Sequence, residues 1–96
     1  MNEREFLMKM KLELRAFEVL LDEHSPEEAY EKWKKESQFD ISEILEQWIF
    51  VERKSKEELK KEIKLYCKFI DQDLMFLEHF KNLNFDDFFF SKQYES

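Results

Sequence analysis

Residues 55–82 read SKEELKKEIKLYCKFIDQDLMFLEHFKN, and this stretch decides the fold class. It opens with Ser55 and Glu58 at the spacing of a capping box, in which each side chain accepts a hydrogen bond from the other residue's backbone N–H. The apolar residues that follow recur every three or four positions, as on one face of an α-helix: Leu59, Ile63, Tyr66, Ile70, Leu74 and Leu77. The pattern predicts a long amphipathic helix that ends near Asn82.

Two more helices are predicted ahead of it by the same signals. The first runs from about Glu3 to Glu23, and its apolar face is formed by Phe6, Met10, Leu14, Phe17 and Leu21. Ser25 and Pro26 then supply an N-cap and a first helical residue for a short second helix, which ends near Ser37. Its apolar face is narrow and consists of Ala29, Tyr30 and Trp33.

A third helix is predicted to open at Asp40, which stands in the N-cap position. Its inward face is expected to be Ile41, Ile44, Leu45, Trp48 and Val51. Only Lys54 and Ser55 separate it from the long helix, so the two are either separate helices or one bent helix. A further short turn is expected to begin at Asn84.

These elements predict an all-α fold: a small antiparallel bundle of about four helices, followed by a short aromatic C-terminal segment. The length of 96 residues indicates a single domain over residues 1–96, within which residues 83–96 form a candidate docking segment. Eleven phenylalanines, three tyrosines and two tryptophans supply enough apolar surface for a core in so short a chain. The N-terminus lacks the basic start and apolar run of a signal peptide, and we expect a cytoplasmic protein without a membrane span.

Several classes of chemistry are excluded by the residue types. The chain contains no glycine, so it has no glycine-rich phosphate loop, and its single cysteine cannot form an intramolecular disulfide. Neither His24 nor His79 has a ligand residue three or four positions before it, and Cys67 lies about 120° around the helix from His79. We therefore expect no enzyme, no metal site and no cofactor. Asp73, at the margin of an apolar face, is expected to be a paired or edge-of-core carboxylate.

Charge is unevenly distributed along the chain. The net charge is −7, yet residues 53–68 contain seven basic and three acidic residues. The lysines of this region that share one helix face are Lys60, Lys61, Lys64 and Lys68. Such a stripe is either a solvated face or a contact for phosphates or an acidic partner. The acidic total charge opposes binding to nucleic acid.

The first predicted helix has a second apolar stripe. Met8, Leu12 and Val19, with Ala16 beside them, lie about 180° from the first stripe. Either this helix is central and touches two neighbours, or the second stripe is a dimer seam or a partner-binding surface. Phe50 raises the same question, because it points away from the inward face of its helix.

The C-terminal segment contains four phenylalanines and two aspartates between Asn84 and Phe90. If it is helical, Phe85, Phe88 and Phe89 share a face at the anchor spacing of a helix that binds in a groove. We expect Phe85 and Phe88 to pack on the bundle, and Phe89 and Phe90 to complete an interaction surface.

The sequence therefore predicts a non-enzymatic protein–protein interaction module of adaptor, chaperone or inhibitor type, from a bacterium or a phage. The candidate partner-binding residues are Met8, Leu12, Val19, Phe50, Phe89 and Phe90. The partner is a protein of unknown identity, and a second copy of the chain is one form it can take. The alternative is a nucleic-acid-linked role, either through the lysine stripe or through acidic mimicry of DNA.

Overall fold

The computed structural model describes residues 1–82, with side chains as far as His79. The helices are α1 (Glu3–Leu21), α2 (Pro26–Glu36), α3 (Ser42–Glu46) and α4 (Lys56–Asn82), and a π-helical turn (Gln47–Val51) continues α3. About 81% of this part of the chain is helical, and it contains no strand. The all-α bundle predicted from the sequence is confirmed.

Helix starts follow the predicted capping signals in α2 and α4. The Ser25 hydroxyl accepts a hydrogen bond from the Glu28 N–H at 3.3 Å. At the start of α4, the Glu58 N–H donates to the Ser55 hydroxyl at 3.2 Å, and the Ser55 N–H donates to the Glu58 carboxylate at 3.1 Å. These two bonds form a complete capping box. The bond from the Ser55 backbone lowers the pKa of Glu58.

Two predicted helix boundaries are wrong. The Asp40 carboxylate accepts from the Ser42 N–H at 2.9 Å, so it forms a turn just before α3, and Ile41 occupies the N-cap without a side-chain bond. The first helix ends at Leu21 rather than Glu23, because the next turn tightens. The N–H groups of Glu23 and His24 both bond to the carbonyl of Leu20.

The π-helical turn changes which residues of the third helix face the core. In this turn the Glu52 N–H bonds to the carbonyl of Gln47, five residues earlier and 2.9 Å away. The wider turn rotates the side chains relative to an α-helical register. Ile49 is therefore buried, with 3% of its surface exposed, whereas Val51 is 67% exposed. The predicted inward position of Val51 is wrong.

The chain between the π-turn and α4 is not helical, so α3 and α4 are separate helices. Arg53 adopts a left-handed conformation with φ of 52°, in the position where a glycine commonly ends a helix. The Lys54 N–H bonds back to the carbonyl of Trp48 at 3.0 Å. The Lys54 ammonium lies 3.3 Å from Glu52 and 3.4 Å from Glu62, and these carboxylates raise its pKa.

Helix α1 is the centre of the bundle, because it packs against both α2 and α4. Its buried residues are Leu14, Phe17 and Leu21. The fully buried residues on the other elements include Ala29, Leu45, Leu59 and Ile63. Phe6 was expected to share this face, but it is 41% exposed and its ring lies edge-on to Phe39 at 5.3 Å.

Ion pairs give the direction of α4 relative to α1. Arg4 pairs with Glu78, Lys11 with Asp71, and Asp22 with Lys60. The partner number on α4 falls as the number on α1 rises, so the two helices are antiparallel, as predicted. The Lys60 ammonium, which is 2.6 Å from the Asp22 carboxylate, lowers the pKa of Asp22.

The capping box at α4 gives the first testable prediction. Ser55→Ala is expected to lower the free energy of unfolding by about 1 kcal/mol, because the Glu58 N–H loses its acceptor. Ser55→Asp, which retains an acceptor oxygen, is expected to preserve most of the stability. Urea unfolding followed by circular dichroism measures both. An unchanged midpoint for Ser55→Ala would contradict a contribution of the cap to stability.

The π-turn gives the second prediction. Ile49→Ala is expected to cost about 2–5 kcal/mol, because it leaves a cavity in the core. Val51→Ala, two residues away on the exposed side, is expected to cost about 0.5 kcal/mol or less. The same unfolding measurement compares them. A larger loss for Val51→Ala than for Ile49→Ala would show that the segment has an α-helical register.

Candidate interaction surface

The outer face of α1 carries an exposed apolar stripe, which we call the α1 stripe: Met8, Leu12 and Val19. Their exposed fractions are 47%, 67% and 68%. They lie on the side of the helix opposite the buried residues Leu14 and Phe17, since each residue advances about 100° around the axis. Within residues 1–82 the stripe is therefore not buried against either neighbouring helix. Helix α1 does have two neighbours, but both pack on its other side.

A groove between α1 and α4 adjoins the α1 stripe at Met8. Met8 lines this groove together with Leu74 and Met75 of α4, and Met75 is 72% exposed. The Arg4–Glu78 ion pair, 3.1 Å long, borders the same groove. An apolar surface with charged residues at its edge is therefore continuous from α1 onto α4.

Phe50 contributes to a different surface. It is 46% exposed, and its ring lies edge-on to Tyr30 of α2 with the ring centres 5.5 Å apart. The other residues around its cavity include Ile49 and Lys54, and none belongs to the α1 stripe. The structure thus keeps Phe50 exposed, as predicted, without joining it to Met8, Leu12 and Val19. Phe89, Phe90 and the predicted turn at Asn84 lie outside the described residues.

Helix α4 has a second apolar face that the sequence analysis missed. Leu65, Phe69 and Phe76 are 49%, 54% and 59% exposed, and they lie on the side away from the buried Leu59 and Ile63. Their spacing of four and seven residues is the same kind of signal that revealed the second stripe on α1. This spacing is visible in the sequence alone.

The lysine stripe of α4 is partly neutralised. Lys60 is held by Asp22, so it belongs to the contact between α1 and α4. Lys61, Lys64 and Lys68 are exposed, and no ion pair to them is found within residues 1–82. Three lysines without an ion pair in the described part of the chain make a weaker positive surface than the four that the sequence suggested.

The residues considered for chemistry have different surroundings. Cys67 is 2% exposed, and burial raises the pKa of its thiol. The His24 ring lies 3.7 Å from the Glu28 carboxylate, across the start of α2. Asp73 is exposed, so its carboxylate faces solvent rather than the interior. Among residues 1–82, no group of three or more His, Cys, Asp or Glu side chains could hold a metal ion.

A polar contact fixes α2 on α1 beside the candidate surface. The Trp33 indole N–H donates to the Glu13 carboxylate at 2.7 Å, in a partly buried position. The nearby Tyr30 hydroxyl is buried and has no hydrogen-bond partner in the described part of the chain. Burial raises the pKa of Tyr30 to about 12, and the Glu46 carboxylate adds to the effect. A buried hydroxyl without a partner costs free energy, so we expect it to weaken the packing of α2.

No protein family model matches the chain, and neither a known characterised protein nor a solved structure is detectably similar to it. In the described residues, no helix is both long enough and apolar enough to cross a bilayer. The exposed apolar surface is therefore the feature of the molecule that bears on function.

The buried tyrosine gives the third prediction. Tyr30→Phe is expected to raise the free energy of unfolding by about 1 kcal/mol at neutral pH, because it removes an unpaired hydroxyl. The wild-type pKa lies above the usual value of about 10, so the protonated form contributes stability that is present below pH 10 and lost as the pH rises toward 12. The advantage of Tyr30→Phe is therefore expected to grow above pH 10.

Urea unfolding at about pH 7 and about pH 11 measures this difference, and Tyr66→Phe is the control because Tyr66 is only half-buried. A loss of stability in Tyr30→Phe at neutral pH would contradict the assignment of an unpaired hydroxyl.

Proposed function

We propose that this chain is a protein–protein interaction module that acts by binding a partner protein through the α1 stripe. One observation carries the proposal: Met8, Leu12 and Val19 lie in a row on the exposed side of a helix whose opposite side carries fully buried core residues. Proteins that remain monomeric rarely expose large contiguous apolar patches, and such patches commonly mark interaction sites.

The spacing of the α1 stripe supports a helical partner. Leu12 follows Met8 by four residues and Val19 follows Leu12 by seven, which is the repeat that keeps apolar residues along one seam between two helices. A partner helix laid along α1 covers all three side chains at once. The chemistry that fits this surface is an amphipathic helix with an apolar face.

Energetics indicate that the partner also covers the groove beside Met8. Fully burying one side chain of this size contributes roughly 1.5–3 kcal/mol, and the α1 stripe has part of that left to gain. Association itself costs about 4–15 kcal/mol. Three side chains only begin to offset this cost, so contacts with Met75 and the charged residues at its edge are needed as well.

Binding without turnover suits an adaptor, chaperone or inhibitor that sequesters or regulates its partner. A nucleic-acid-linked role has less support. Lys61, Lys64 and Lys68 remain exposed on α4, but the chain carries a net charge of −7, which opposes contact with phosphates.

The fourth prediction tests the α1 stripe by photo-crosslinking in the cell that makes the protein. A benzoylphenylalanine at position 19 is expected to form an adduct with a polypeptide bound at the stripe. The same group at position 51 is the matched control, because Val19 and Val51 are the same residue type and are 68% and 67% exposed. Adducts are detected by gel shift and identified by mass spectrometry.

The comparison is completed by a substitution on the stripe. Leu12→Glu, combined with the crosslinker at position 19, is expected to abolish the adduct while the helical circular dichroism is retained. Equal adducts at positions 19 and 51, or none at position 19, would contradict the proposed function.

A further inference from the structure

We propose that the partner on the α1 stripe is a second copy of this chain, whose α1 lies antiparallel to the first. This inference rests on the proposed function, because it names the occupant of the same surface. It is carried by two charged residues, Glu5 and Arg15, that lie in line with the stripe and are both exposed.

The stripe and these two residues form one seam along α1. In order, its members are Glu5, Met8, Leu12, Arg15 and Val19, with alternating spacings of three and four residues. This is the repeat of a two-helix coiled coil. At 100° per residue the five side chains fall within a band of about 80° on the helix surface. All five are exposed, so the seam is open along nearly the whole length of α1.

An antiparallel arrangement brings complementary residues together. When two antiparallel copies of α1 are centred on each other at the level of residue 10, Met8 lies against the partner's Leu12, and Glu5 lies against the partner's Arg15. Two-fold symmetry repeats both contacts, so the interface has two apolar contacts at its centre and one ion pair on either side. Val19 then lies against the segment before the partner's α1, where Met1 is 73% exposed.

A parallel arrangement is opposed by the same two residues. With the helices in register, Glu5 lies against the partner's Glu5 and Arg15 lies against the partner's Arg15. Both contacts bring like charges together, which is unfavourable. The parallel helix dipoles add to the repulsion, because ends of the same sign lie side by side. Charge complementarity therefore selects the antiparallel form.

The Glu5 carboxylate and the Arg15 guanidinium are available for these contacts. Arg15 holds Glu18 of its own helix at 2.9 Å, but a guanidinium has five N–H donors and this one is half exposed. The Asn2 side-chain amide donates a hydrogen bond to the Glu5 carboxylate at the long distance of 3.5 Å. Neither residue contributes to the core, so both can be changed without creating a cavity.

The fifth prediction is a charge-reversal series measured by sedimentation equilibrium on the full chain. Glu5→Arg and Arg15→Glu are each expected to raise the dimer dissociation constant about tenfold, because each places like charges at both ends of the seam. The double variant Glu5→Arg/Arg15→Glu exchanges the signs and is expected to restore the wild-type value within about threefold. An equimolar mixture of the two single variants is expected to form a heterodimer.

Controls separate the interface from the fold. Leu12→Glu is expected to be monomeric by sedimentation equilibrium and still helical by circular dichroism. Val51→Glu is expected to remain a dimer because Val51 lies outside the seam. If either charge reversal disturbs the helix, Glu5→Gln and Arg15→Gln test the same contacts with smaller expected losses.

Four results would overturn the inference. A wild-type chain that stays monomeric up to about 1 mM would exclude the dimer. Equal dissociation constants for the wild type, both single variants and the double variant would exclude the antiparallel contacts, and unfolding of Leu12→Glu would place the stripe in the core. A crosslink from position 19 to a different polypeptide, with the chain monomeric, would exclude the second copy and leave the proposed function standing.

Discussion

The structure depends on the packing of the inner face of α1 against α4. Leu14, Phe17 and Leu21 are completely buried, and so are Leu59 and Ile63 on the facing helix. Because this contact takes one side of α1, the opposite side has to face outward. The ion pairs at the flanks hold the antiparallel direction, but exposed pairs of this kind contribute little energy, so the apolar contact is the main source of stability.

The same contact requires the chain to reverse sharply before α4 without a glycine. Arg53 takes the left-handed conformation, and the π-turn places Trp48 and Ile49 on the core side just before it. A non-glycine residue pays a conformational cost there, which the burial of these two side chains offsets. Lys54 adds contacts to Glu52 and Glu62 across the reversal.

The exposed side of α1 links this architecture to function. A short bundle with α1 at its centre has no further helix within residues 1–82 to cover Met8, Leu12 and Val19. The apolar side chains therefore remain exposed, and in the proposed dimer the charges of Glu5 and Arg15 give the second copy a preferred direction. Helix α4 repeats the situation with Leu65 and Phe69, which makes two outward apolar faces on adjacent helices.

The sequence by itself determined what depends on neighbours along the chain. Capping residues such as Ser55 fixed helix starts, and the spacing of apolar residues fixed the helices and the two stripes of α1. Tertiary structure alone decided which stripe stays exposed, why Ile49 rather than Val51 is buried, and how Phe50 meets Tyr30. Hydrogen bonds between near neighbours produce local patterns, whereas the burial of a side chain depends on elements distant in sequence.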